Sequence, residues 1–168
     1  MPIPAVLTDW ANAISQTDWA QTIAGSWMFP LLETVHVFSL IAVLGTIALV
    51  DWRLIGFASR DHSVTILSRQ TLPWTWGGFA LAVVSGALMT AGQAGEYITN
   101  PAFQLKLLLI VLAGINMAAF HLIPWKSVSS WDSRAAPPVA ARLAGALSLV
   151  LWIGVIACGR WIAFTHGA

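Results

Sequence analysis

A chain of 168 residues with 58% hydrophobic and only 9% charged side chains cannot cover a soluble globule with polar surface, because soluble domains are typically about 25% charged. This composition excludes an ordinary soluble enzyme and a disordered chain. The net charge of +1 leaves no basic surface for a nucleic acid. The single cysteine, Cys158, excludes an internal disulfide and a CxxC redox or zinc motif.

The N-terminal segment, residues 1–26, is too polar to cross a membrane. Its apolar residues recur at near-helical spacing, which is typical of an amphipathic helix on a membrane surface: Val6, Leu7, Trp10 and Ile14. The first ten residues contain no Lys or Arg, so we expect no secretory signal there.

Four long uncharged stretches follow in residues 27–168, each close to the ~20 residues that a helix needs to cross ~30 Å of hydrocarbon. They predict membrane-spanning helices at about 30–52, 71–91, 103–125 and 140–162. A soluble domain could not cover four such helices with so few polar residues. The sequence therefore predicts an all-α fold, an integral membrane four-helix bundle with an N-terminal amphipathic interfacial helix on its outer side.

Tryptophans stand near the ends of these stretches, where indole rings favour the level of the lipid headgroups: Trp27, Trp52, Trp74, Trp76, Trp125 and Trp161. Trp152 instead falls in the middle of the last stretch. We expect Trp152 to pack against a neighbouring helix.

Lysine and arginine side chains are concentrated in the first and third predicted loops: Arg53, Arg60, Arg69, Lys126, Arg134 and Arg142. Cationic loops remain on the cytoplasmic side of a membrane. We therefore expect a multi-pass protein of the bacterial inner membrane with both termini in the periplasm. A serine-rich run and Pro137-Pro138 predict an irregular third loop.

Signatures of soluble enzymes such as a Walker A loop, GxGxxG, HExxH and GxSxG do not occur in the sequence. The functional candidates are therefore ionisable groups in the membrane, which are costly to place there. His36 lies in the first span, and Glu33 lies one turn earlier on nearly the same face. One interpretation is a haem or metal ligand with Glu33 as its partner or proton donor. The other is a helix-packing pair with satisfied hydrogen bonds.

His121 lies near the inner end of the third span, with Gly114 and Met117 on the same face. Small neighbours leave space for a flat macrocycle, and neutral imidazole is a common axial ligand of haem iron. The alternative is an interfacial histidine that reaches the headgroups. His62, in the first loop, is either a second ligand facing His121 or a solvated loop residue.

The two membrane histidines are expected at different depths. By helical rise, His36 lies about 14 Å below Trp27 and His121 about 6 Å above Trp125. In a hydrocarbon core of about 30 Å, about 10 Å of height then separates them. Two axial ligands of one upright haem share a depth, so we expect two sites. The inner site would use His121 with His62, and the outer site would pair His36 with an unidentified group.

A stripe of small residues, Gly78, Ala82 and Gly86, marks the second span at four-residue spacing. Such a stripe favours close helix packing, within the chain or in a dimer. The alternative is that it forms one wall of a cofactor slot.

The remaining polar residues predict contacts between helices. We expect one ion pair between Glu33 and Lys106 at the outer end of the bundle, and another between Asp51 and Arg53 at the inner end. Asn116 lies in mid-span and is expected to hydrogen-bond to another helix.

Several short motifs together resemble a single family. They are Glu33-x-x-His36, Asp51-Trp-Arg53-Leu-Ile-Gly56, Asn100-Pro-Ala-Phe-Gln-Leu-Lys106, Ala113-Gly-Ile-Asn116 and Phe120-His121. In this combination, from about Trp27 to Trp161, the chain resembles a family of small bacterial four-helix membrane proteins of unassigned function. It is also loosely similar to the membrane part of copper-resistance D proteins and to bacterial cytochromes b, whose helices carry histidines. The resemblance implies a fold and a residue set, and no established activity.

The leading hypothesis is a b-type haem-binding protein for transmembrane electron transfer, which exchanges electrons with quinone or another redox partner. Its cofactor ligands would be His36, His121 and His62, supported by Glu33, Asp51, Arg53, Lys106 and Asn116. The alternative is a non-enzymatic accessory subunit of a larger membrane complex, or a homo-oligomer, whose histidines serve in packing. Copper handling comes third, because Cu(I) favours clusters of Met and Cys and the four Met residues and Cys158 are scattered.

Overall fold

The computed structural model describes residues 4–57, 63–133 and 136–165, and all regular elements in these ranges are helical. In chain order they are α1 (Ala5–Ser15), α2 (Asp18–Ala24), α3 (Met28–Ile55), α4 (Val64–Ala91), α5 (Ala94–Thr99), α6 (Pro101–Leu122), a 3₁₀ helix (Pro124–Ser130) and α7 (Val139–Thr165). The predicted all-α fold is confirmed.

Helices α3, α4, α6 and α7 are long and apolar enough to cross a membrane. Their most apolar windows have mean hydropathies between 1.3 and 2.1. Many of their large side chains point away from the bundle, as Phe38 and Val150 do with 66% of their surface exposed. Such a surface is suited to lipid and not to water, so the chain is a multi-pass membrane protein.

Helix α4 begins at Val64, seven residues before the predicted start of the second span. The charge of Arg69 set the predicted limit, but a charged residue does not end a helix that extends past the hydrocarbon. Ser63 caps the helix, since its Oγ accepts the backbone N–H of Ile66 at 3.2 Å. Pro73 then lies inside the helix without ending it.

The four long helices form a row in which α4 packs on α3, α3 on α7, and α7 on α6. Two glycines allow close approach of the helix backbones. A Cβ atom at Gly78 of α4 would lie 3.1 Å from Val43 Cγ2 and 3.2 Å from the Ser39 backbone oxygen. A Cβ atom at Gly145 of α7 would lie 3.1 Å from the Asp51 backbone oxygen. Helix α3 therefore lies between two neighbours that meet it nearly backbone to backbone.

The stripe of small residues on α4 faces α3. Gly78 meets α3 as described, Ala82 is buried, and Gly86 lies against the ring of His36. The prediction of close helix packing is confirmed, and the partner is a helix of the same chain.

The two ends of the bundle differ in construction. We call the end with Arg53, the start of α4 and the 3₁₀ helix the Arg53 end, and the opposite end, with α1, α2 and α5, the Trp27 end. A compact apolar cluster closes the Arg53 end and includes Leu54, Val64, Phe120, Trp131 and Ala141. Trp131 follows the 3₁₀ helix and is buried. The prediction of an irregular third loop was therefore wrong for Pro124–Ser130, where prolyl and seryl residues form the 3₁₀ helix.

The N-terminal segment forms two helices, α1 and α2, where one was expected. Thr17 separates them in an extended conformation. Helix α1 packs on α5, where a Cβ atom at Gly95 would overlap the side chain of Asn12. Val6 and Trp10 remain 64% and 68% exposed, which leaves the apolar face of α1 available to a membrane surface.

Candidate ligand-binding cavity

A cavity of about 440 Å³ lies between the four long helices, in the half of the bundle nearer the Arg53 end. Its volume is in the range of about 300–1,000 Å³ that is usual for small-molecule sites. Aromatic side chains from α4, α6, α7 and the 3₁₀ helix line much of it, namely Trp76, Phe79, Phe120, Trp125 and Trp152. Such a lining favours a largely apolar, flat ligand.

Helices α4 and α6 form the two sides of the cavity, and α3 and α7 form its back wall. In the described residues α4 and α6 share no extensive contact, so the cavity is open between them. Phe79 of α4 reaches Trp152 of α7 in an edge-to-face contact with ring centroids 6.4 Å apart. This contact closes the cavity toward the Trp27 end, and the expectation that Trp152 packs against another helix is confirmed.

The back wall contains one buried carboxyl group, that of Asp51 on α3. Asp51 is 6% exposed and lines the cavity. Ser148 of α7 hydrogen-bonds to its side chain. Its Oδ2 atom is buried and has no hydrogen-bond partner among the described residues. The expected ion pair between Asp51 and Arg53 is not formed, because the two side chains, two residues apart on one helix, reach different neighbours.

The donors of the neighbouring polar side chains are already used within the protein. Asn116 Nδ2 donates to the Ala144 backbone oxygen at 2.9 Å, which confirms the expected hydrogen bond between α6 and α7. Thr75 Oγ1 donates to Thr46 Oγ1 at 2.8 Å, and Thr46 Oγ1 donates to the Ala42 backbone oxygen at 2.8 Å. These three side chains therefore present acceptors to the cavity.

His121 lines the cavity from the last turn of α6. Its Nδ1 atom lies 2.8 Å from the Met117 backbone oxygen, and since a carbonyl can only accept, Nδ1 must carry the proton. In the neutral ring this leaves the lone pair of Nε2 free to accept a proton or bind a metal. The rings of Phe120 and Trp125 pack on the imidazole, each with its centroid 5.4 Å away.

His36 lies outside the cavity, in the contact between α3 and α4. Its Nδ1 atom lies 3.0 Å from Ser85 Oγ, whose hydroxyl donates to the Leu81 backbone oxygen at 2.7 Å. Its ring also packs on Gly86, where a Cβ atom would lie 3.0 Å from His36 Cε1. The neighbour of the His36 Nδ1 atom is therefore Ser85, and Glu33, the expected supporting residue, is exposed one turn earlier on α3.

The structure does not bring the two candidate histidines together. His36 lies about 22 Å from Asp51 along α3, at about 1.5 Å per residue, while His121 shares the cavity with Asp51. The different depths expected from the sequence are thus observed. His62, the expected partner of His121, lies outside the described residues.

Lys106 does not pair with Glu33. It is partly buried, and its Nζ atom lies 3.8 Å from the position that a Cβ atom would occupy at Gly159 of α7. The expected ion pair is not formed, since the Lys106 Nζ atom lies beside α7 and Glu33 is exposed at the start of α3. Within the described ranges, no group of three or more His, Cys, Asp or Glu side chains could hold a metal ion.

Asp132 was not among the residues predicted from the sequence to make structural contacts. Its carboxylate accepts the Thr65 backbone N–H at 2.8 Å and the Ser63 hydroxyl at 2.6 Å. Its backbone oxygen accepts the Val64 N–H at 3.1 Å and Nη2 of the fully buried Arg53 at 3.1 Å. No local motif predicts these contacts, because the partners of Asp132 lie more than 60 residues away in the chain.

The surroundings of Asp132 favour its charged form. Partial burial alone would raise its pKa, but the hydrogen bonds from Ser63 and Thr65 and the nearby charge of Arg53 lower the pKa below its ordinary value. Arg53 was expected among the loop cations, and the structure places it instead in the last turn of α3, fully buried.

Comparison with known proteins identifies a family to which no activity has been assigned. One family model, described as a family of unknown function, matches residues 7–165. No curated protein and no solved structure matches the chain. The resemblance to a family of unassigned function is confirmed, while the likeness to copper-resistance D proteins or cytochromes b gains no support.

Proposed function

Because the chain belongs to the family of unknown function DUF6644, which assigns no activity, we propose from its cavity that the protein binds a lipophilic quinone within the membrane. The observation that carries the proposal is the aromatic cavity of about 440 Å³ between α4 and α6. A quinone combines a flat ring, which suits aromatic walls, with polar oxygens and a hydrocarbon tail.

The route into the cavity also suits a ligand dissolved in lipid. The cavity opens between α4 and α6, two helices apolar enough to lie in a bilayer. A ligand could enter from the lipid without crossing the headgroup region, and its tail could remain in the opening. The few polar groups on the wall would then fix the orientation of the ring, as in other apolar pockets.

Tryptophan fluorescence tests this proposal, because Trp76, Trp125 and Trp152 line the cavity and quinones quench indole emission on contact. Decylubiquinone should quench the purified protein saturably. Gly114→Leu should weaken binding at least tenfold, since Gly114 lines the cavity and a Cβ atom there meets nothing within 4 Å. The new side chain would take up space in the cavity, and its Cβ atom would meet no neighbour.

Gly77→Leu is the matched control. A Cβ atom at Gly77 also meets nothing within 4 Å, and Gly77 is exposed and does not line the cavity. It should therefore bind as the wild type does. Equal quenching of wild type, Gly114→Leu and Gly77→Leu would contradict the proposal, as would the absence of saturable quenching in the wild type.

Binding of haem b by His121 is the second candidate, and the free Nε2 atom of this residue favours it. A metal-ligating histidine usually donates its other ring N–H to a carbonyl, as His121 does to Met117. Among the described cavity residues, no second histidine faces His121. Met117 lies one turn away on the same helix, so it cannot occupy the opposite face of one iron. The candidate is therefore a haem that His121 would hold near the Arg53 end.

A visible spectrum and pyridine haemochrome quantification separate the two candidates. If haem is bound, protein expressed with ample haem should show a Soret band, and His121→Ala should lose it. His36→Ala should keep it, because His36 lies in the α3–α4 contact. Wild-type protein without haem would reject this candidate. Colourless protein that binds no quinone and co-purifies stoichiometrically with other subunits would instead favour an accessory role in a membrane complex.

A further inference from the structure

We propose that the cavity selects the reduced, quinol form of its ligand, and that Asp51 is the group that recognises it. This inference rests on the proposed quinone site. It follows from the buried carboxyl group on the back wall of the cavity, whose Oδ2 atom has no hydrogen-bond partner among the described residues. A buried acceptor without a partner is unfavourable, and a ligand that donates a hydrogen bond to it would remove this cost.

Three polar side chains that line the cavity cannot supply this bond, because their donors are already used within the protein. Asn116 donates to Ala144, Thr75 to Thr46, and Thr46 to Ala42. Ser148 already hydrogen-bonds to the same carboxyl group. A ligand that brings its own O–H group would therefore satisfy an atom that the protein leaves unsatisfied.

Quinols and quinones differ in whether their oxygen atoms donate or only accept hydrogen bonds. A quinol has two hydroxyl groups, which donate, whereas a quinone has two carbonyl oxygens, which only accept. An ionised carboxylate and a neutral imidazole Nε2 are both acceptors. Asp51 on α3 and His121 on α6 line the same cavity, so a quinol can meet an acceptor on each of two walls. A quinone carbonyl would instead face the lone pairs of both groups.

A site that requires a hydroxyl donor discriminates strongly in proteins, because an analogue without that hydroxyl leaves a buried group unpaired.

The test compares the two redox forms of one probe. Binding of decylubiquinol and decylubiquinone is measured anaerobically by tryptophan quenching. The pH is 8.5, which favours the ionised carboxylate, and this form can only accept hydrogen bonds. The wild type should bind the quinol at least tenfold more tightly than the quinone. Asp51→Asn, which keeps the size and adds an N–H donor, should reduce this ratio to threefold or less, mainly by weakening quinol binding.

Asp18→Asn is the matched control, since it makes the same change at an exposed residue of α2 that does not line the cavity, and it should keep the wild-type ratio. Ser148→Ala, which removes the hydrogen bond to Asp51, should weaken the preference without abolishing quinone binding. Equal binding of both forms by the wild type, or an unchanged ratio in folded Asp51→Asn, would overturn the selection of quinol while leaving the quinone site intact. A wild type that binds neither form would overturn the site itself.

Discussion

Arg53 and Asp132 are joined across 79 residues of chain by a hydrogen bond of 3.1 Å from Arg53 Nη2 to the Asp132 backbone oxygen. The same aspartate caps the start of α4 through Thr65 and Ser63. One residue therefore connects the last turn of α3, the first turn of α4 and the segment before α7. The Arg53 end depends on this junction as much as on its apolar cluster.

Asp132→Ala should destabilise the protein by about 1–2 kcal/mol, the usual cost of losing a helix cap. The loss arises because the backbone N–H of Thr65 and the hydroxyl of Ser63 lose their acceptor. Thermal unfolding in detergent, followed by circular dichroism, measures it. Asp18→Ala serves as the control, since Asp18 is exposed at the start of α2. Equal melting temperatures for the two variants would contradict a capping role.

The stability of the Asp132 junction should also depend on pH. The pKa of Asp132 is lower in the folded protein than its ordinary value, which is about 4. The stabilisation is therefore complete above about pH 4 and is lost as the pH falls through the folded-state pKa. Wild-type protein should lose stability below pH 4 more steeply than Asp132→Asn. Parallel pH profiles of the two proteins would show that the carboxylate contributes no pH-dependent stability.

The sequence predicted the spans and several contacts because these follow from local patterns. Hydrophobic length gave the four helices, and the four-residue spacing of small residues predicted the packing of Gly78 on α3. Asp132 could not be found in this way, since its partners are distant in the chain. The cavity could not be found either, because it arises from the gap between α4 and α6, a property of the arrangement of helices. The predicted ion pairs Glu33–Lys106 and Asp51–Arg53 are not formed. The direction in which a side chain points determines its partner more than the depth of its residue in the membrane does.

Ala82→Leu should destabilise the bundle by about 1–3 kcal/mol, the usual cost of overpacking a tight contact. Ala82 is 8% exposed and lies in the stripe that faces α3. Ala80→Leu is the matched control, because Ala80 is exposed on the same helix. Comparison of detergent unfolding measures the difference. If both variants are as stable to unfolding as the wild type, the stripe does not support close packing.

His36 and Gly86 should be energetically coupled. Gly86→Ala would place a Cβ atom 3.0 Å from His36 Cε1, so the imidazole must move and its hydrogen bond with Ser85 must weaken. In a His36→Ala background the same glycine substitution meets no ring and should cost less. A double-mutant cycle on unfolding free energy should give a coupling of about 0.5–3 kcal/mol. Additive effects would show that the ring does not pack on Gly86.

The predicted topology places the Arg53 end in the cytoplasm. Single cysteines test it in a Cys158→Ser background, with Ser130→Cys at the Arg53 end and Gln16→Cys at the Trp27 end. Both positions are exposed. A membrane-impermeant maleimide should label Gln16→Cys in intact cells and Ser130→Cys only after permeabilisation. The reverse pattern would invert the orientation.

The distance in sequence between Ser63 and Asp132 has a consequence for biosynthesis. These residues lie 69 positions apart, which corresponds to a delay of roughly 3–14 s at a translation rate of roughly 5–20 residues per second. During this interval the start of α4 lacks the hydrogen bonds to Asp132 and keeps only its local cap by Ser63, and the Arg53 side chain lacks the Asp132 backbone oxygen. That end of the nascent protein should therefore be the part most open to insertion factors and membrane proteases until the second hairpin arrives.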